Sequence, residues 1–542
     1  MAPPRTFGGV DCAGAVDDAF WAWATAEGVE AVSCAPALFR EGWRGVAATG
    51  DVAPGDVVLR VPGSLLMSAR SAARDPDLAA ALETHGGALT PAERLSCHLL
   101  HEASKGARSR WRAYVRQLPR RYNLLASWTA AEIEGLQAPE AIAVAERAKA
   151  EMRASHVKAL PVLAHLGLPL PFRAARAWTW ARCTVSSRTV FVPFDDAGAL
   201  CPVGDLFNYA PPFASSSVDV LGTPLGTEEL EALLMNGRRA VNIARNRLSR
   251  QENGENDAES VDENVAGDGS YDASLDAYVF YARRRYETGD QIMLCYGKHT
   301  NLSLLEHYGF LLPPGSTNPN DAAPLLLNEF FCRKNRRVSA DARGRLTWTS
   351  LADLRADAAD ADADVRRLGL AKRARDVCRR GGAVSPAVER RVFEAVRDAA
   401  GRTLLSLATT AAQDEEAVAA ARDEERKSAA LESTDDSGAE ARMERDAALD
   451  EHGAPREWTR GDDDDDDDED DDEDASDFRA DESNAWLAAR WRLAYKRAVQ
   501  AAYRLAQARV DEAVEAMGAA GTGDARASSS DARVAKPRLG AR

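Results

Sequence analysis

Residues 291–310 read QIMLCYGKHTNLSLLEHYGF. An apolar run ends in the pair Tyr296-Gly297, a polar turn follows, and a short helical pattern closes on a second pair, Tyr308-Gly309. A lone Tyr-Gly after a strand is most often a turn, with glycine supplying backbone freedom that other residues lack. What the tyrosine does therefore depends on which other parts of the chain meet it.

Immediately upstream, LDAYVFYARRRY (275–286) alternates and predicts a strand. Glu287, Thr288, Gly289 and Asp290 then predict a turn, with Gln291 to Tyr296 as the partner strand. Before this pair, residues 213–274 are polar and rich in Asn, Asp, Glu and Gly around NGENDAESVDENVAGDGS, a composition that predicts a disordered surface excursion. Strand character is expected from Thr184 to Phe194, broken at DDAG, and continuing into CPVGDLFNYAPP. Between Leu38 and Met67 the β-branched pairs separated by Pro54-Gly55 and Pro62-Gly63 predict short antiparallel strands. The next hundred residues are helical in pattern, with capping boxes at Thr90-Pro91-Ala92-Glu93 and Thr129-Ala130-Ala131-Glu132. Leu95, Leu99, Ile133 and Leu136 give those helices a buried face.

The 542 residues are enough for two or more domains, and 45 % apolar content predicts that most of the chain folds. Thirteen acidic residues form one run, Asp462 to Asp474, and removing them from the net charge of −17 leaves about −4. That near-neutral remainder argues against a dedicated nucleic-acid binder. The eight cysteines include no Cys-x-x-Cys pair, so neither a disulfide framework nor a zinc knuckle is expected, and no metal site is assigned. No run approaches eighteen apolar residues, and the start MAPPRTFGGVDC lacks a signal-peptide pattern. Cytoplasm or nucleus is the expected location, with the chloroplast as alternative. Past Pro313-Pro314-Gly315 the composition is helical; SNAWLAARWRLAYKRAVQAAYRLAQARVDEAVEAM predicts one long helix with Trp486, Leu487, Trp491, Ala494, Ala498, Ala502 and Leu505 on a buried face. The acidic run is read as a solvated tether, with contact to basic proteins as the alternative.

Three separated pieces resemble one family. WRGVAATGDVAPGDVVLRVP resembles the opening turn and strands of a SET domain, WTWARCTVSSRTV with VGDLFNY resembles its Ser-Arg strand and Asn-His motif, and LCYG with LLEHYGF resembles its closing Tyr-Gly motif. SRWRAYVRQLPRRYNLLASWTAAEIEGL is similar to the helical insert of the Rubisco large-subunit methyltransferase class. The resemblance covers about residues 30 to 315 and extends weakly into the C-terminal half, mostly through AAYRLAQARVDEA, where Tyr503 and Gln507 fall on one helix, with a generic amphipathic helix as the alternative. It implies an α+β fold: a SET domain of small β-sheets with a knot-like core containing a helical insert, followed by a mostly α-helical C-terminal domain. The expected parts are an N-terminal helical segment (1–29), the SET domain (30–315, insert about 70–178), a helical substrate-binding-like domain (316–520) and a disordered tail (521–542).

The resemblance implies S-adenosyl-L-methionine as cofactor. Trp43, Arg44 and Gly45 would offer backbone groups to its methionine part, Arg188 would sit near its carboxylate, Asn208 and Tyr209 would meet the adenine through main-chain bonds, and Phe310 would pack on that ring. Tyr296 would be the catalytic phenol where cofactor and substrate channels meet. Tyr278, Tyr281 and Tyr308 are candidates for lining the substrate channel, with ordinary packing on a pleated sheet as the alternative for the first two; Asp205 is a candidate for holding the peptide, against a turn cap. Two departures stand out: Tyr209 takes the place of the motif histidine, and the opening Gly-x-Gly reads Trp43-Arg44-Gly45. The implied activity is methyl transfer to lysine of a non-histone protein; a monomer with no membrane partner and no dedicated nucleic-acid binding is expected. The alternatives are a histidine methyltransferase on the same fold and a SET-fold interaction module of weak or no turnover.

Overall fold

The computed structural model describes residues 6–7, 10–11, 16, 18–39, 44–212, 269–326, 338–420 and 483–530, with side chains of the final helix to 518. Trp43, the acidic run and most of the 213–274 excursion lie outside these residues. The described chain falls into two compact units, one holding residues up to 212, 269–316, 415–420 and 483–491, the other 317–326, 338–414 and 492–530.

Strand Val57–Pro62 is central to the first unit, with Val58, Leu59 and Val61 fully buried. One four-stranded sheet runs in the order Gly269–Asp272, Ala277–Tyr281, Val57–Pro62, Glu30–Ala31. A second runs Thr6–Phe7, Val10–Asp11, Cys34–Leu38, Arg44–Ala48. Two short strands therefore precede the helix Asp18–Ala26 in the segment expected to be helical, and Gly269–Asp272 is ordered by pairing inside the expected loop.

Both edges of Ala277–Tyr281 are taken, by Gly269–Asp272 and Val57–Pro62, so the segment after Asp290 is not its partner. It lies instead along the free edge of Arg44–Ala48: Ala48 N donates to Asp290 O at 2.9 Å, and Ile292 N donates to Val46 O at 2.8 Å. On its other side Met293 and Leu294 pair in parallel with Asn208 and Tyr209, and Ala210 N donates to Leu294 O at 2.8 Å. Three stretches far apart in sequence are thereby laced side by side. Strand geometry stops at Leu294, two residues before Tyr296.

Helices fill the chain from Ala69 to Arg188. Thr90 accepts from Glu93 N while Glu93 returns a bond to Thr90 N, and Thr129 and Glu132 repeat that reciprocal cap. The last of these helices, Ala175–Arg188, overturns the strand expected from Thr184. Thr184 Oγ1 donates to Trp180 O and Ser187 Oγ to Cys183 O, each at 2.8 Å, so hydroxyls that favour extended backbone are absorbed by the preceding turn. Trp178, Ala181, Cys183 and Val185 are buried, and that packing outweighs the β-branched propensity. The strand begins only at Thr189 and pairs with Asp195–Leu200, placing the turn at Pro193 and Phe194 rather than at DDAG.

In the second unit, helices Trp348–Asp360, Ala371–Arg379 and Pro386–Leu405 are joined by the C-terminal helix, on which Ala498, Ala502, Ala506, Val510 and Ala513 are buried at helical spacing. Helix Asn484–Ser530 passes Gly521, where a disordered tail is expected. Extension of an existing helix needs no new nucleus.

Candidate functional site

Tyr296 and Gly297 emerge from the laced segment into a cluster of rings. The Tyr296 ring centroid lies 5.2 Å from Tyr209 and 5.3 Å from Tyr308. Phe310 is 6.0 Å from Tyr209 and 6.1 Å from Tyr308. Tyr308 and Phe310 are brought here because Thr300 caps helix Asn301–His307 through Ser303 N at 3.1 Å, and Leu304 and Leu305 bury that short helix. Gly297 sits at φ +124°, in the region that favours glycine.

The Tyr296 hydroxyl donates to the carbonyl of Phe207, next to Asn208. Burial pushes its pKa above the usual phenol value, with Arg188 pulling the other way. Tyr209 donates its own hydroxyl to Gly297 O at 3.0 Å, and His299 Nε2 lies 3.1 Å from Tyr296 O. The two consecutive carbonyls of the Tyr-Gly turn are thus both held by side chains. Burial raises the Tyr209 pKa to about 12, so this donor keeps its proton at neutral pH.

Asn208 Nδ2 donates to Arg44 O at 2.9 Å, tying the motif asparagine to the opening strand. The backbones meet closely: a methyl group on Gly45 would fall 2.4 Å from Gln291 Nε2 and 3.0 Å from Asn208 Nδ2. Arg188, ending its helix, donates through Nη1 to Asp205 O at 3.1 Å and to Asp205 Oδ2 at 3.0 Å. Burial opposes its charge, but Tyr122, Asp205 and Tyr114 hold the guanidinium protonated above its ordinary range. Its Nε is buried with no acceptor.

Arg44, Gly45, Arg188, Asn208, Tyr209, Tyr296, Tyr308 and Phe310 therefore come together. Asp205 joins them in a different capacity from holding a peptide: its side chain is 2 % exposed, and Oδ2 accepts from both Arg188 and Tyr114. Tyr278 is buried at 5 % exposure in the central sheet, 4.8 Å from Phe280, and has no ring contact with the Tyr296 cluster among the described residues. Tyr114, Gln117, Tyr122 and His299 belong to the site and were not singled out by sequence. Tyr114, Gln117 and Tyr122 lie in the helical insert, where nothing local marks them.

A separate cavity of about 710 Å³ is lined by Ala69, Leu82, Leu89, Pro91 and Phe194 among others, and contains none of these residues. No described helix is long and apolar enough to cross a membrane.

No family model matches the chain. Protein SET DOMAIN GROUP 40 of Arabidopsis thaliana is 33 % identical over 416 residues, 75 % of this chain and 77 % of that protein. SET domain-containing protein 4 of Mus musculus is 22 % identical over 322 residues, 56 % of this chain and 59 % of that protein. Among solved structures, the SET domain of LSMT bound to lysine and AdoHcy matches with TM-score 0.54 and 17 % identity over 92 % of each chain. Rubisco LSMT bound to sinefungin and monomethyllysine matches with the same TM-score and 17 % identity, over 92 % of this chain and 93 % of that one. The fold is that of SET-domain methyltransferases, and by its likeness over three quarters of its length to the Arabidopsis protein this chain belongs to the SET-domain family.

Proposed function

We propose that this chain is an S-adenosylmethionine-dependent protein methyltransferase that acts on lysine of a non-histone protein. The observation that carries the reading is the Tyr296 phenol, fixed beside Asn208, Arg188 and the Gly45 strand by residues from three distant parts of the sequence. Support for lysine comes from the solved LSMT structures, which hold lysine or monomethyllysine, and one of which names Rubisco.

The residues present fit the cofactor. Arg188 Nε is a buried donor without an acceptor, a deficiency that a carboxylate relieves. Gly45 keeps the opening strand free of a side chain where it passes Asn208, and the Phe310 ring offers a face for a base. When bound, S-adenosylmethionine supplies an electrophilic methyl group.

Tyr296 then acts as an oriented dipole. Its proton is committed to Phe207 O, so its oxygen lone pairs remain to accept polarised C–H and amine N–H groups. Because burial keeps the phenol neutral, it is not the base. Lysine, with a free pKa of roughly 10.4, reaches the reactive neutral form through desolvation among Tyr296, Tyr308 and Tyr209. The chain contributes alignment and fixed polarity.

The test is incubation of the protein with a proteome and isotopically labelled cofactor, followed by mass spectrometry of modified peptides. Label on lysine of non-histone proteins supports the reading. Label confined to histidine moves the assignment to the imidazole acceptor, and absence of cofactor binding at millimolar concentration moves it to an interaction module.

A further inference from the structure

The opening strand carries a cation, Arg44, immediately before Gly45, and that cation is directed to a definite place. Arg44 Nη1 donates to the carbonyl and to Oε1 of Gln117, at 3.2 and 3.3 Å. Gln117 closes helix Arg112–Gln117, and one turn earlier on the same helix Tyr114 donates to Asp205 Oδ2, the atom that also binds Arg188. Residues three apart on a helix are neighbours, roughly 5–6 Å apart at Cβ. The helix thus presents Arg44 and the Arg188–Asp205 pair side by side. Asn208, donating to Arg44 O, fixes the strand at the same point.

The charges at this point do not balance. Two guanidiniums face one carboxylate, and that carboxylate already accepts from Arg188 and Tyr114. Among the described residues no other carboxylate pairs with either arginine. Burial and the Arg188 charge both lower the Arg44 pKa, with Asp205 acting against them, as expected for like charges held together in a partly dry site. Arg188 Nε adds an unsatisfied buried donor. Arg188 has Asp205, but the part-buried Arg44 has no carboxylate of its own, and a second guanidinium held beside that pair is costly unless a further anion completes the set.

We propose that the Arg44 side chain, together with Arg188, forms a two-arginine clamp for a carboxylate, namely that of the amino-acid moiety of S-adenosylmethionine or S-adenosylhomocysteine. This rests on the cofactor reading above. It makes Arg44 a side-chain ligand and assigns Gln117 the task of aiming it.

The experiment is calorimetry on the full-length chain with two probes: S-adenosylhomocysteine, which carries the carboxylate, and 5′-methylthioadenosine, which shares the nucleoside and thioether but lacks the amino-acid group. Arg44→Met should weaken S-adenosylhomocysteine by about 10–100-fold, the range for a charge-assisted bond, while methylthioadenosine changes by less than about threefold. Gln117→Glu removes no core group and places a carboxylate beside Arg44. It should selectively weaken S-adenosylhomocysteine and raise the melting temperature of the ligand-free protein. Wild-type affinity for S-adenosylhomocysteine in Gln117→Glu, or equal loss of both probes in that variant, overturns the clamp while leaving the methyltransferase reading intact. If the wild-type protein binds neither probe, the cofactor reading itself fails.

Discussion

Tyr296→Phe removes one oxygen and leaves the ring. The contacts at 5.2 Å to Tyr209 and 5.3 Å to Tyr308 survive, so the aromatic cluster and the neighbouring Asn208 strand should keep their shape. Two losses follow. First, the Phe207 carbonyl loses its donor in a buried setting, which costs about 1–3 kcal/mol of folding stability. Second, turnover loses the fixed dipole at the reacting atoms; by analogy with removal of one preorganised donor, kcat should fall about 10²–10³-fold. The affinity for S-adenosylhomocysteine should change little, because the variant leaves Arg188, Asn208 and Gly45 untouched. Three measurements separate these effects: urea unfolding, calorimetry with S-adenosylhomocysteine, and single-turnover methyl transfer to whichever substrate the labelled-proteome experiment identifies. A variant that turns over as fast as the wild-type protein would refute the role given to the phenol. A variant that loses cofactor binding in proportion to turnover would show that the hydroxyl serves architecture alone.

Gly45→Ala should destabilise the protein by about 1–3 kcal/mol in urea melts and loosen the Asn208–Arg44 tie, because the added methyl meets Gln291, Asn208 and Phe39 within 3.0 Å; wild-type stability would show that those neighbours yield freely. In the second unit, Arg355 forms a fork to Glu389 at 2.8 and 2.7 Å and donates to Gly381 O, with side chains 2 % and 6 % exposed. Arg355→Met should cost about 3–5 kcal/mol, and adding Glu389→Leu should recover much of it; equal stability of the single and double variants in guanidinium melts would contradict this. Burial raises the Asp75 pKa, but the Leu78 N–H, Lys105 and His101 prevail and hold it at about 2 against 3.8. A depressed carboxyl stabilises above its unfolded pKa and loses that contribution as pH falls through the folded one, here between about pH 4 and pH 2. Asp75→Asn should therefore lose about 1–2 kcal/mol at pH 7, after allowance for partial screening, and the gap to wild type should close on acidification; a gap independent of pH would refute the assignment.

The parts of the fold visible in sequence are those whose cause is local. The reciprocal caps at Thr90 and Thr129 need only four residues each, and the C-terminal helix advertises its buried face by spacing. What escaped was decided at long range. Thr184 and Val185 look like strand residues, yet they close a helix because Trp178 and Cys183 are buried beside them. Residues 291–296 look like the second arm of a hairpin, yet the edges of Ala277–Tyr281 are already occupied. For the site, family resemblance named Tyr296, Arg188 and Asn208, whereas Tyr114 and Gln117 had no motif. Their importance lies in being three residues apart on a helix that Asp205 and Arg44 approach from different strands and turns.

The same contrast bears on whether the chain turns over. A binding module built on this fold needs the lacing of the Asn208 strand with Arg44–Ala48, because that lacing forms the core. It has no evident need for side chains to pin the carbonyls of both Tyr296 and Gly297, nor for a neutral phenol whose proton is spent on Phe207 O. The loss of the motif histidine is the natural argument for an inactive module, but the residue in its place donates to the Tyr-Gly turn itself. Tyr209→Phe therefore weighs the two readings: it preserves the ring contacts and removes only the bond to Gly297 O. If that bond sets the phenol, kcat should fall about tenfold with KM unchanged, about the worth of one hydrogen bond. A fall in stability with kcat intact would return Tyr209 to packing alone.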